Sequence, residues 1–215
     1  MSKVHAMLNT LAIPNIATRV AKKLADMQQL GELDYLRMKY ALEVILINIS
    51  KVSTIYALAI ILGIWQQALI VHLAYFILRK PSYGLHAKSS TVCTLVSALF
   101  FVGIPMVARD FQLNRGIIVI IWIAIMIGLA KYAPALTNKN RIGSDEYKRT
   151  LKRKSLIHGG VLMTFVLASE AFGLYFLNIP TLLTIGGFLQ LMMLLPITYS
   201  ITGNTVSNSV ACSKI

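Results

Sequence analysis

Gly116-Ile-Ile-Val-Ile-Ile-Trp-Ile-Ala-Ile-Met-Ile-Gly-Leu-Ala-Lys131 is an apolar run with no charge before its final lysine. It is one of six apolar runs, at roughly 42 to 64, 67 to 78, 92 to 108, 116 to 131, 156 to 177 and 180 to 201. A helix needs about 20 residues at 1.5 Å each to cross a hydrocarbon core of about 30 Å, and most of the six approach or reach that length. The second run is short: about 12 residues reach only about 18 Å. It must take in Trp65, Gln66 and Gln67, thin the bilayer locally, or stop partway. A tight hairpin with the first run is expected, which brings the loop that follows close to the membrane surface.

Composition points the same way. Of 215 residues, 56% are hydrophobic and 13% charged, with a mean hydropathy of +0.68, too apolar for an ordinary soluble domain. The expected fold is all-α, a polytopic helical membrane bundle of about six transmembrane segments with the second one short. Residues 1–40 read as a cytoplasmic or interfacial amphipathic region, 41–201 as the membrane domain, and 202–215 as a polar, flexible cytoplasmic tail.

Arg19, Lys22, Lys23 and Asp26 interrupt every apolar stretch that could serve as a secretory signal, so the N-terminal region is expected to be retained. Ile16, Val20, Leu24 and Met27 follow a three-to-four spacing that places them on one helical face. The basic residues fall on the other side, which suits a helix lying in the headgroup layer or one packed on the rest of the protein.

Lysine and arginine set the orientation. Six precede residue 40, three lie within 79–91, eight within 131–155, and Lys214 follows, against Arg109 and Arg115 on the opposite side. Positive charge in short loops stays cytoplasmic, so an even number of crossings with both termini inside is expected. Most of the net charge of +13 is thereby explained by topology rather than by nucleic-acid binding. Lys148, Arg149, Lys152 and Arg153 anchor a helix end. Ser144 as a cap, with Asp145 and Glu146 in the first turn, would instead let their basic side meet an acidic peptide.

The chain has two cysteines, Cys93 and Cys212, too few for a disulfide framework. Cys93 follows His86 by seven residues, in a short basic stretch between the second and third apolar runs. In one unbroken helix seven residues rise about 10.5 Å, so a direct contact requires the chain to turn between the two. Pro81 and Gly84 disfavour helix before His86. Ser89, Ser90 and Thr91 are N-cap candidates that put Cys93 in the first turn of the next helix.

Unpaired N–H groups and the helix dipole favour a thiolate at that position. Cys93 then reads as a nucleophile and His86 as its base, a pair suited to acyl transfer. Read structurally, the same residues are a buried cysteine at a helix start and a histidine at a loop end.

Glu43 shares a stripe with Ser50 and Thr54 on the first run, at a depth suited to orienting His86 or pairing with Arg79; pairing with Lys51 would be purely structural. Glu170 and His72 read as helix-packing residues or as the lining of a cavity. No metal site and no cofactor is expected.

Arg79, Gly84, His86-Ala87 and Cys93, after a hairpin that begins Lys39-Tyr-Ala-Leu-Glu43 and carries Asn48 and Lys51, resemble the accessory gene regulator B (AgrB-type) membrane peptidases. Tyr132-Ala-Pro-Ala135 and the basic run are similar too, and the likeness covers roughly residues 36 to 200. It implies a cysteine endopeptidase that cuts the C-terminal tail from an AgrD-type precursor peptide and holds the remainder as an acyl-enzyme. An internal cysteine or serine then closes a thiolactone or lactone ring used as a quorum-sensing signal. By the same resemblance Cys93 is the nucleophile, His86 the base, Arg79 and Gly84 shape the site, and a homodimer is implied. Many relatives carry a second glycine where this chain has Tyr83, a departure that bears on substrate preference. The competing class is a transport or bacteriocin-immunity-like membrane protein without enzymatic activity.

Overall fold

The structure of the protein is a computed structural model that describes residues 2–29, 31–84, 90–135, 144–173, 176–196 and 198. The tail expected at 202–215 lies outside the described residues. Helix α1 (Ser2–Gln28) is followed by α2 (Glu32–Ile61), α3 (Trp65–Ser82) and α4 (Ser90–Ala98). A π-helical turn (Leu99–Gly103) joins α4 to α5 (Ile104–Ala108), so these form one irregular rod. Then come α6 (Arg115–Tyr132), α7 (Asp145–Ala171), a 3-10 turn at Phe176–Asn178 and α8 (Ile179–Leu194). The all-α expectation holds among the described residues, whose β-type pairing is a single isolated bridge between Tyr83 and Ala135.

Each of the six apolar runs lies in a helical rod, but the ends differ from expectation. Two helices, α2 and α6, are by themselves long and apolar enough to cross a membrane. The second run lies in α3, which has 18 residues and takes in both Trp65 and the Arg79–Ser82 turn. The fifth run, expected from residue 156, belongs to α7, which begins at Asp145 and has 27 residues. The basic stretch before it is therefore helix rather than loop. The cause is local: Lys and Arg are good helix formers, Ser144 Oγ accepts the Tyr147 N–H at 3.5 Å, and Lys148 Nζ donates to Asp145 at 2.8 Å.

The chain divides into two compact units, Met1–Leu58 and Ala59–Ile215. In the first, the stripe of α1 that is buried consists of Ala17, Ala21 and Ala25, one per turn. Ile16, Val20, Leu24 and Met27 are exposed. The expected apolar face is thus real but is not the packed one; small residues permit close approach and take the contact.

In the second unit α3, α6, α7 and α8 pack together. Trp122, Ile118, Leu129, Leu78 and Leu194 form its core, and the Trp122 indole N–H donates to Thr184 Oγ1 at 3.0 Å. Helices α3 and α8 approach closely. A Cβ on Gly186 would stand 2.5 Å from the Val71 carbonyl oxygen, so only glycine fits there. That approach brings the end of α3 against the last turns of α8.

Candidate active site

The last turn of α3 carries the arginine and leads into the glycine of the sequence constellation. The helix stops because Tyr83 (φ 58°, ψ −146°) and Gly84 (φ 137°) leave the helical region in succession. This combination is nearly confined to glycine, so Tyr83 holds a strained backbone. Every backbone group of the turn that the described contacts cover has a named partner, as burial demands. The Tyr83 N–H donates to the Arg79 carbonyl at 2.9 Å, and the Ser82 carbonyl accepts the Ala135 N–H at 2.9 Å. The Tyr83 carbonyl accepts from Gln190 Nε2 at 2.8 Å, and the Gly84 carbonyl from Arg79 Nη2 at 3.3 Å.

Arg79 therefore works within its own turn. Its guanidinium also lies 5.8 Å from the centre of the Tyr75 ring, within cation–π range. A Cβ on Gly84 would collide with it. Arg79 and Gly84 are fitted to each other: the glycine is required by its φ, and a side chain there would displace the guanidinium.

The bridge from Tyr83 to Ala135 joins this turn to the Tyr132-Ala-Pro-Ala135 segment after α6. The Ala133–Pro134 bond there is cis. Two stretches about 50 residues apart in sequence, each picked out by the sequence reading, thus meet at one end of the bundle.

Cys93 is the fourth residue of α4, so its backbone lies in the first turn as the capping pattern predicts. There the N–H groups have no intrahelical acceptor. His86 lies outside the described residues. Glu43 sits on α2, in the first unit, half-buried.

Arg149, Lys152 and Arg153 are exposed on the first three turns of α7, and Lys148 is half-buried against Asp145. Leu151 and Ser155 turn inward on the other side of that helix. Hydrogen bonding to Lys148 holds the Asp145 carboxyl below its ordinary range.

Tyr83 also connects to α7. Burial, and then a hydrogen bond with the Tyr147 hydroxyl, hold its phenol above the ordinary range. The Tyr83 side chain thus lies beside the basic helix.

Two residues of this end escape a reading of the sequence. Ser82 is fully buried, donates to the Leu78 carbonyl at 2.6 Å, and accepts from Gln190 Nε2 at 2.8 Å. Gln190 is fully buried too. A single glutamine in an apolar run has no periodicity to betray it; only its isolation among apolar neighbours on α8 marks it.

The remaining polar residues do structural work. Glu170 is buried and its carboxylate stands 4.0 Å from Arg115, whose Nη2 donates to the Glu170 carbonyl. His72 stacks on Phe101 at 4.5 Å. An open crevice lined by Gln67, Arg109, Asp110 and Gln112 lies at the opposite end of α3 from Gly84, far from the turn. Among the described residues no three His, Cys, Asp or Glu come together as a metal centre requires.

A family model described as accessory gene regulator B matches residues 14–194, which is most of the chain. The chain belongs to the accessory gene regulator B family. It is 36% identical over 167 residues to an AgrB-like protein of Listeria monocytogenes (strain HCC23), covering 78% of this chain and 79% of that protein. It is 34% identical over 154 residues to the accessory gene regulator protein B of Staphylococcus intermedius, covering 72% and 81%. An AgrB-like protein of Clostridium acetobutylicum matches over 90% of both chains at 27% identity. No solved structure matches the chain. The AgrB match spans the Arg79–Gly84 turn, Cys93, the Ala135 bridge and Gln190, so the knitted end of the bundle lies within the part shared with the family.

Proposed function

We propose that this AgrB-family protein is a membrane-embedded cysteine endopeptidase that processes an AgrD-type precursor peptide into a quorum-sensing signal. The observation that carries the reading is the mutual fit of Arg79 and Gly84 in the turn that ends α3. It stands two residues before His86 in a chain that then starts α4 with Cys93 in its first turn. A rigid element of this kind gives a catalytic loop a fixed point of departure.

The Cys93 thiolate attacks the scissile carbonyl carbon after its proton passes to His86. The C–N bond breaks, and His86 returns that proton to the departing amine of the C-terminal tail. The peptide is left as a thioester on Cys93. A cysteine or serine within the bound peptide then attacks the thioester, its proton goes to the enzyme sulfur, and the ring closes. The tethered nucleophile has a high effective concentration, so cyclisation outruns hydrolysis. No cofactor takes part.

In this reading all six rods cross the membrane, with both termini and the active site on the cytoplasmic face. The charge asymmetry supports that arrangement, as does the ability of α2 and α6 to span alone. Residues 1–40 lie at the lipid interface, 41–201 form the peptidase domain and 202–215 a cytoplasmic tail. Glu43 is assigned the role of an orienting residue. Lys148, Arg149, Lys152 and Arg153 receive the precursor, and two chains pair as a homodimer.

Co-expression with the precursor and mass spectrometry of the products tests the reading. A truncated, dehydrated peptide is expected with the native chain and absent with Cys93→Ala or His86→Ala at equal membrane levels. Retention of that product in either variant would favour a transport or immunity role.

A further inference from the structure

We infer that Gln190 on α8 is a positioning residue for the reaction, acting through the Ser82–Tyr83–Gly84 turn; this rests on the reading that Cys93 and His86 are the reacting pair. Its amide nitrogen spends both hydrogens on that turn, donating at 2.8 Å to Ser82 Oγ and at 2.8 Å to the Tyr83 carbonyl. The orientation of the amide is fixed, because a carbonyl oxygen only accepts. Ser82 Oγ passes the chain of bonds on to the Leu78 carbonyl. Gln190 thereby ties the strained residue after α3 to a helix more than 100 residues further along the sequence.

The amide oxygen argues that the residue is kept for positioning rather than for stability. Oε1 is buried and has no hydrogen-bond donor among the described residues. Burying an unsatisfied amide oxygen costs stability, and a leucine or methionine of similar size would carry no such cost. What the apolar side chain could not do is hold the Tyr83 carbonyl. That group would lose its partner, and Tyr83 would be free to leave φ 58° for an ordinary conformation. The path of the chain toward His86, three residues on, would change with it.

The test uses the full-length chain in membranes, in a Cys212→Ser background so that one thiol remains. Gln190→Leu removes both donors. Gln190→Glu keeps the shape but, as a carboxylate, faces the Tyr83 carbonyl with no hydrogen; protonated, it regains one O–H donor. Two quantities are followed against pH at matched membrane level: precursor processing and the rate of Cys93 alkylation by iodoacetamide.

The expected results are at least a tenfold loss of processing in Gln190→Leu, and an alkylation midpoint displaced toward the ordinary thiol value of about 8.5. For Gln190→Glu the processing rate relative to the native chain rises as pH falls. A purely packing role would leave the alkylation midpoint in place and give Gln190→Glu no acid rescue. Native processing and a native alkylation profile in Gln190→Leu overturn the inference, as does a Gln190→Glu ratio that is flat with pH. Cys93→Ala separates the two levels: if it still processes precursor, the peptidase reading fails, whereas an inactive Cys93→Ala beside a fully active Gln190→Leu sinks the positioning role alone.

Discussion

Arg79 Nη2 donates to the carbonyl oxygen of Gly84, five residues on, at 3.3 Å. The glycine has no side chain at the one place where a side chain would strike that guanidinium. The two residues are halves of one device, and substitutions at either should fail for related reasons.

Gly84→Ala places a Cβ into the Arg79 guanidinium and asks a non-glycine residue to hold φ 137°. Such a conformation costs about 1 to 3 kcal/mol before the clash is counted. Arg79→Lys keeps the charge but loses the planar fork and its stacking on Tyr75. Both variants should reach the membrane and lose precursor processing, measured by mass spectrometry of the cleaved peptide. Native activity in Arg79→Lys would mean that charge alone suffices.

Tyr83→Gly removes strain of about 1 to 3 kcal/mol and gives up a contact with Tyr147 that solvent screening weakens. Thermal unfolding should show a stability that is unchanged or slightly raised. The effect should fall on substrate choice: the ratio of processing of its own precursor to a relative's precursor changes, while the Cys93 alkylation rate does not. The sign of the pH dependence is also fixed. A phenol held above its ordinary value of 10.0 contributes stability that is fully present below pH 10.0. The contribution is lost as pH rises through the raised value. Tyr83→Phe should therefore flatten the alkaline limb of the stability profile.

Neutralising Lys148, Arg149, Lys152 and Arg153 together to glutamine should raise the KM for an acidic-tailed precursor and leave kcat nearly unchanged. Exposed ion pairs contribute about 0.2 to 1 kcal/mol each, so the combined effect is on the order of tenfold or more. It should shrink as salt is added, since exposed charges are screened over about 8 Å at physiological ionic strength. Unchanged processing in the quadruple variant would remove these residues from the substrate site.

Gly186→Ala tests the approach of α3 to α8 directly. Overpacking at this distance from the Val71 carbonyl costs about 1 to 3 kcal/mol. Because the same contact brings Gln190 to Tyr83, the variant should lower thermal stability and processing together, read by a detergent-solubilised melting curve and the peptide assay.

The sequence exposed the helices more readily than their ends or their contacts. Hydropathy located all six rods because burial in lipid and burial in protein both demand apolar residues. It put the fifth run at 156, 11 residues after α7 starts at Asp145, a start that Ser144 as a cap with Asp145 and Glu146 in the first turn does mark. Lysine and arginine lower hydropathy while favouring helix, and the two signals conflict there. On α1 the larger side chains drew attention to Ile16, Val20, Leu24 and Met27, whereas the packed stripe is Ala17, Ala21 and Ala25.

At the site, the first-turn position of Cys93 is legible because capping depends on neighbours within a few residues, whereas Arg79 and Gly84 are marked only through the family resemblance. The bridge to Ala135 and the grip of Gln190 join distant parts of the chain and leave no local pattern. Tyr83 stands out in the sequence, but its nearness to Tyr147 depends on where α7 begins.

The most direct measurement is intact-protein mass spectrometry of the chain after incubation with a precursor whose ring-forming cysteine or serine is replaced by alanine. Deprived of its internal nucleophile, the peptide should remain attached, adding the mass of the tail-less precursor minus water as a thioester that maps to Cys93 and is released by hydroxylamine. Cleavage of this precursor with no such adduct, or with equal yield from Cys93→Ala, would contradict the account.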